Sequence, residues 1–151
     1  GNAEPLWKDP AVQRQQSLRL HWMTPIVHEG TIFASSGSGS GDAELRAVSL
    51  ASGQVLWREP GLGRATLLLA DGHLIVLTEF GRLIALRPNP ARYEVVADAT
   101  PARPEAGEPA LGTPSWAPPA LSQGRLYLRG KDQLACFRLA REPRTKASPD
   151  S

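Results

Sequence analysis

The chain has 151 residues, the length of one ordinary domain. Its 41% hydrophobic and 21% charged content is that of a globular protein. Fourteen Gly and fourteen Pro exclude a helical bundle. The net charge of +2 comes from scattered arginines with no basic stripe, which speaks against nucleic-acid binding. No apolar run approaches the roughly 18 residues of a membrane-spanning helix, so no membrane span is expected. The start, Gly1-Asn2-Ala3-Glu4-Pro5, carries no signal peptide and does not read as a natural beginning.

The first element is a short fragment, Glu4-Pro5-Leu6-Trp7-Lys8, which matches the tail of Gln54-Val55-Leu56-Trp57-Arg58. It predicts an outer strand. Next comes Pro25-Ile26-Val27, a turn at Gly30, and the alternating run Thr31-Ile32-Phe33-Ala34. Alternation with β-branched and aromatic residues predicts strand. A Ser/Gly-rich stretch (35–42) leads to Glu44-Leu45-Arg46-Ala47-Val48, then Ser52-Gly53 turns the chain into Val55-Leu56-Trp57. The plan repeats with Leu67-Leu68-Leu69, Gly72, His73–Leu77, Arg82–Leu86 and Arg92–Ala97. It repeats again with Pro119-Ala120-Leu121, Gly124, Arg125–Leu128 and Gln133–Phe137, after which no fourth run follows.

The turn glycines Gly30, Gly72 and Gly124 lie 42 and 52 residues apart. Periods of this length with several strands per unit are those of propeller blades. The fold class is therefore all-β: antiparallel four-stranded blades of a β-propeller, an incomplete ring of about three. The divisions are an N-terminal segment with the outer strand of a preceding or closing blade (1–20), blade one (21–60) and blade two (61–100). A Pro-rich connection (101–118), a three-stranded blade three (119–140) and a polar tail (141–151) complete the chain. Small residues recur at one place in the third strand, Ala47, Ala85 and Cys136, and predict close packing between sheets. Cys136 reads as a small buried hydrophobe.

Little chemistry is visible. Asp42, Glu44, Glu79 and Asp132 sit singly beside turns, where such residues are commonplace. His28 and His73 flank the first turn of their units. No Ser/His/Asp or Cys/His set stands out. Residues 35–42 lack the Lys and the following helix of a phosphate loop and read as a lengthened mobile turn. His21-Trp22, Arg64 and Trp116 each precede the first strand of a unit. They are the candidate channel-rim contacts, with a packing role as the other reading of the tryptophans. No catalytic, cofactor-binding or metal-ligating residue is assigned.

The pattern TPIVHEGTIFA (24–34) followed by GDAELRAVSLASGQVLWRE (41–59) resembles the PQQ-like, quinoprotein-type β-propeller repeat. The likeness covers about residues 22–139. Copy two lacks the Ser/Thr-Gly turn and the Trp, and copy three keeps three strands. The resemblance implies four-stranded blades around a central channel, with Trp57 and Trp7 as blade-locking tryptophans. It implies a non-catalytic scaffold or protein-interaction module in a bacterium, periplasmic or extracytoplasmic, since similar repeats occur in outer-membrane assembly factors. The alternative is a fragment of a PQQ-dependent alcohol or sugar dehydrogenase, with quinone held over calcium; the single cysteine excludes the cysteine pair of many such enzymes. No cofactor is expected. Three blades cannot close a ring, as propellers have about four to eight. The missing blades are expected in a longer protein, on another chain, or on a copy of this one; an open part-propeller is the remaining reading.

Overall fold

Three tight turns of one kind organise the chain. In Glu29-Gly30, Asp71-Gly72 and Gln123-Gly124 both residues take positive φ: 44° and 75°, 48° and 71°, 50° and 71°. Two successive left-handed residues give the turn whose twist matches paired antiparallel strands. The structure is a computed structural model and describes residues 3–103 and 107–139.

Each turn joins the first two strands of a sheet. Sheet one has the order β1 (Ile26–His28), β2 (Thr31–Ser36), β3 (Glu44–Ser49), β4 (Val55–Pro60). Sheet two repeats it with β5 (Ala65–Ala70), β6 (His73–Thr78), β7 (Leu83–Arg87) and β8 (Glu94–Ala99). Sheet three has β9 (Ala120–Ser122), β10 (Arg125–Arg129) and β11 (Leu134–Arg138). All pairings within the sheets are antiparallel. A register shift falls at the same place in two sheets, after Ala47 and after Ala85. The three sheets do not close a ring.

Alternation gives each strand two faces. Phe33, Leu45 and Ala47 of sheet one pack on Leu67, Leu74, Val76, Ile84 and Leu86 of sheet two. The opposite face of sheet two, through Leu68, Leu77 and Leu83, packs on Leu126, Leu128, Ala135 and Phe137 of sheet three. Sheet two is thus covered on both sides. The long connection before β9 contributes to the second interface: Leu111 is buried among its leucines. A single bridge, Ala102 to Pro109, forms within that connection.

Four expectations need correction or restatement. Residues Glu4–Lys8 form no strand; the sheet whose outer strand they match has no other strand in the described residues, and a lone strand has nothing to pair with. Trp7 nevertheless occupies a repeat position. Its Nε1 donates to the Leu50 carbonyl at 2.8 Å, and Trp57 Nε1 donates to the Asn89 carbonyl at 2.8 Å. Leu50 follows β3 and Asn89 follows β7, so each tryptophan fastens onto the same loop of the next sheet. Gly53 is required beneath Trp7: at φ 73°, a Cβ there would lie 2.6 Å from the indole.

Cys136 is exposed, not buried. Its counterpart Ala47 is buried because sheet two lies over it; among the described residues nothing lies over the corresponding face of sheet three. The Ser/Gly stretch is not an untethered turn. The Asp42 carboxylate accepts from Ser38 N (3.0 Å), Gly39 N (2.6 Å) and Arg19 Nη2 (2.5 Å). These bonds, the Gly39 amide first and Arg19 next, hold its pKa well below the usual carboxylate range. The expected polar tail (141–151) lies outside the described residues. Among the described residues no helix is long and apolar enough to cross a membrane.

The tryptophan clamps make distinct predictions. Trp57 contacts Phe33 and Tyr93, with ring centroids 6.0 and 5.9 Å apart, at the sheet one–sheet two seam. Trp57→Ala is expected to cost about 3 kcal/mol, the lower end for truncating a packed aromatic. Trp7→Ala is expected to cost about 1 kcal/mol, the scale of one hydrogen bond. Urea unfolding of the two variants checks the ranking.

Candidate functional site

The first strands β1, β5 and β9 all begin at one end of their sheets. The residues just before them meet there. The Arg64 guanidinium lies 4.9 Å from the ring centroid of Trp22 and 4.9 Å from that of Trp116. The two indoles touch edge to face at 5.4 Å, and His21 tilts against Trp22 at 4.4 Å. All four candidate rim residues, His21, Trp22, Arg64 and Trp116, therefore form one cluster. Each comes from a different unit, apart from the adjacent His21 and Trp22.

The cluster is anchored by Glu79, which by sequence is an ordinary lone carboxylate beside a turn. Glu79 is only 2% exposed. Its Oε1 accepts from Arg64 N at 2.7 Å, and its Oε2 accepts from Arg64 Nε (3.1 Å), Arg64 Nη2 (2.9 Å) and Trp116 Nε1 (3.3 Å). The backbone joins in: Glu79 N donates to Arg64 O, and Ser115 N donates to Glu79 O, both at 2.8 Å. One carboxylate thus holds the start of sheet two to the approach to sheet three. Gly63 makes room for it. At φ 64°, a Cβ there would fall 2.5 Å from Glu79 Oε1 and 2.7 Å from Phe80.

A signal for Glu79 was present. A hairpin centred on Asp71-Gly72 pairs Ala65 with Thr78, and the same register continued by one residue sets Arg64 opposite Glu79. Phe80 was also missed; it is 58% exposed beside the cluster. Trp22 and Trp116 are each a little over 40% exposed. Between them lies a notch of about 100 Å³ lined by Met23, Thr24, Thr66, Leu67 and Pro118.

Burial alone would raise the Glu79 pKa, but the hydrogen bonds from the Arg64 side chain and backbone, with Trp116, bring it below its ordinary 4.5. The carboxylate is therefore a charged structural anchor, not an acid held ready for proton transfer.

A propeller of the quinoprotein type would place a cofactor over calcium, which needs clustered oxygen ligands. Among the described residues no three His, Cys, Asp or Glu side chains group to hold a metal ion. Glu79, the buried carboxylate of this end, already faces a guanidinium. The residues present do not fit that cofactor.

A family described as outer membrane protein assembly factor BamB matches residues 4–89 and 41–142. The chain belongs to this family. Among solved structures it is similar to BamB from Moraxella catarrhalis, with 20% identity and a TM-score of 0.52. That likeness covers 76% of this chain and 32% of the Moraxella chain, so the chain spans about a third of its relative. It confirms the propeller architecture. The computationally designed Ika4 protein aligns over 82% of this chain and 96% of its own, at 8% identity and a TM-score of 0.39. No curated protein matches the sequence.

Two predictions follow from the anchor. Because the folded pKa of Glu79 is depressed, its stabilisation is fully present above about pH 4.5 and is lost as pH falls through the lower folded value. Thermal melting between neutral and acid pH should therefore fall more steeply for the wild type than for Glu79→Gln. At neutral pH Glu79→Gln should cost about 3 kcal/mol, because it leaves the Arg64 charge largely buried without its partner. A variant with unchanged melting would show that the ion pair does not hold this end together.

Proposed function

We propose that the chain is part of a larger, non-catalytic propeller scaffold that contacts a protein partner in the bacterial envelope, outside the cytoplasm. The observation that carries this reading is the Trp22–Arg64–Trp116 cluster. Tryptophan and arginine are the residues most enriched where binding energy concentrates at protein interfaces. Here they are partly exposed, fixed by a buried carboxylate and bordered by an exposed Phe80. The fixed geometry supports recognition, since little side-chain freedom is left to lose on binding. Membership of a family described as an assembly factor supports the same reading.

A photo-crosslinking residue at position 80, introduced in cells making the full-length protein, tests it. One discrete protein adduct is expected, and Trp22→Ala should remove it. The same probe at Glu29, whose side chain is 84% exposed at the other end of sheet one, should give none. Equal or absent adducts at both positions would sink the proposal.

A further inference from the structure

Sheet three repeats sheets one and two strand for strand, and the repeat identifies its exposed face. Phe33 pairs with Ala47, Ile75 with Ala85, and Tyr127 with Cys136, at matching places in the three sheets. The Phe33–Ala47 face of sheet one is covered by sheet two. The Ile75–Ala85 face of sheet two points the same way, toward sheet three. The Tyr127–Cys136 face has no cover among the described residues. By position it is the side on which each sheet receives its successor.

Its chemistry differs from the two seams within the chain. Those are built from leucine, isoleucine, valine and phenylalanine. The open face carries Arg125 and Arg138 directly opposite one another on neighbouring strands, and Arg129 opposite Leu134. All three arginines are exposed. Among the described residues none has an acidic partner. Like charges directly opposite in a sheet repel. An anionic partner turns that repulsion into attraction.

We propose that this face is a docking surface for a further β-sheet that presents carboxylates to Arg125, Arg129 and Arg138 around an apolar centre at Tyr127, Leu134 and Cys136. The inference rests on reading the chain as part of a larger propeller and specifies the chemistry of the blade that follows. A second copy of the chain does not supply that sheet. The copy's matching face, on sheet one, is already occupied: Ile32, Ala34, Arg46 and Val48 are buried there. The N-terminal segment crosses it, with Arg46 Nη1 donating to the Gln16 and Ser17 carbonyls at 2.8 and 2.7 Å. Its carboxylate, Glu44, is already committed to Arg46 at 2.6 Å and lies 3.7 Å from Arg58, so the face offers no free carboxylate to Arg125, Arg129 and Arg138.

Cys136 reports on the face, being the only cysteine and lying at its centre. The rate of its reaction with dithiobis(nitrobenzoate) is measured for the chain alone and with four probes. These are a synthetic β-hairpin peptide with one glutamate-bearing face, the same peptide with lysines, phosphatidylglycerol vesicles, and a short DNA duplex. The glutamate hairpin is expected to slow the reaction about tenfold, a difference of about 1.4 kcal/mol. The effect should fade with added salt, as exposed charges are screened. Arg125→Glu/Arg138→Glu should lose this protection and acquire it from the lysine hairpin. Arg129→Glu, at the other end of the face, should weaken it alone, and melting curves establish that each variant folds.

Equal action by both hairpins would overturn the proposal. So would protection by vesicles or DNA without protection by the glutamate hairpin, or protection that grows with the chain's own concentration. None of these results alters the crosslinking readout at position 80, so failure here and failure of the scaffold reading are distinguishable.

Discussion

Everything in this structure depends on sheet two being apolar on both faces. A four-stranded sheet of this size cannot leave two such faces in water, because hydrophobic burial is the dominant favourable term in folding. Leu67, Leu74, Val76, Ile84 and Leu86 need sheet one; Leu68, Leu77 and Leu83 need sheet three. The outer sheets are thereby fixed in place, and the ends of β1, β5 and β9 are brought together. The Trp22–Arg64–Trp116 cluster follows from that convergence. It is a product of packing first and of local sequence second.

The cluster also shows how charge is tolerated in such a seam. Glu79 is buried, and an unpaired buried carboxylate would be costly. It is instead met by a guanidinium, one backbone N–H and an indole N–H. These groups come from the hairpin that bears it and from the connection into sheet three. The same bonds that neutralise the charge tie consecutive units, so the polar anchor reinforces what the leucines begin.

Much of this was legible in the residues. Gly30, Gly72 and Gly124 announced the three turns, because a two-residue hairpin turn calls for positive φ. Alternation marked the second strand of each unit, and the position of His21, Trp22, Arg64 and Trp116 before each first strand was enough to collect them. What escaped depended on contacts between units. Cys136 looked buried because its strand pattern matches Ala47, but burial comes from a neighbour, and a pattern within one strand cannot report whether a neighbour is present. Leu111 sits in a Pro-rich connection with no periodicity, yet it fills the second seam. Glu4–Lys8 carried the right residues for a strand without a sheet to join. Glu79 escaped for another reason: a lone carboxylate beside a turn is ordinary until the hairpin register is extended to Arg64.

The indole hydrogen bonds of the two blade-end tryptophans run in one direction. Trp7 reaches forward to the loop after β3, and Trp57 reaches forward to the loop after β7. These two tryptophans latch onto the unit that follows them, while Trp116, before sheet three, reaches back to Glu79 of sheet two. Stability in such arrays is close to a sum of each unit's own folding energy and its couplings to neighbours. During synthesis, then, the Trp57 end of sheet one is secured only once the loop bearing Asn89 has emerged from the ribosome.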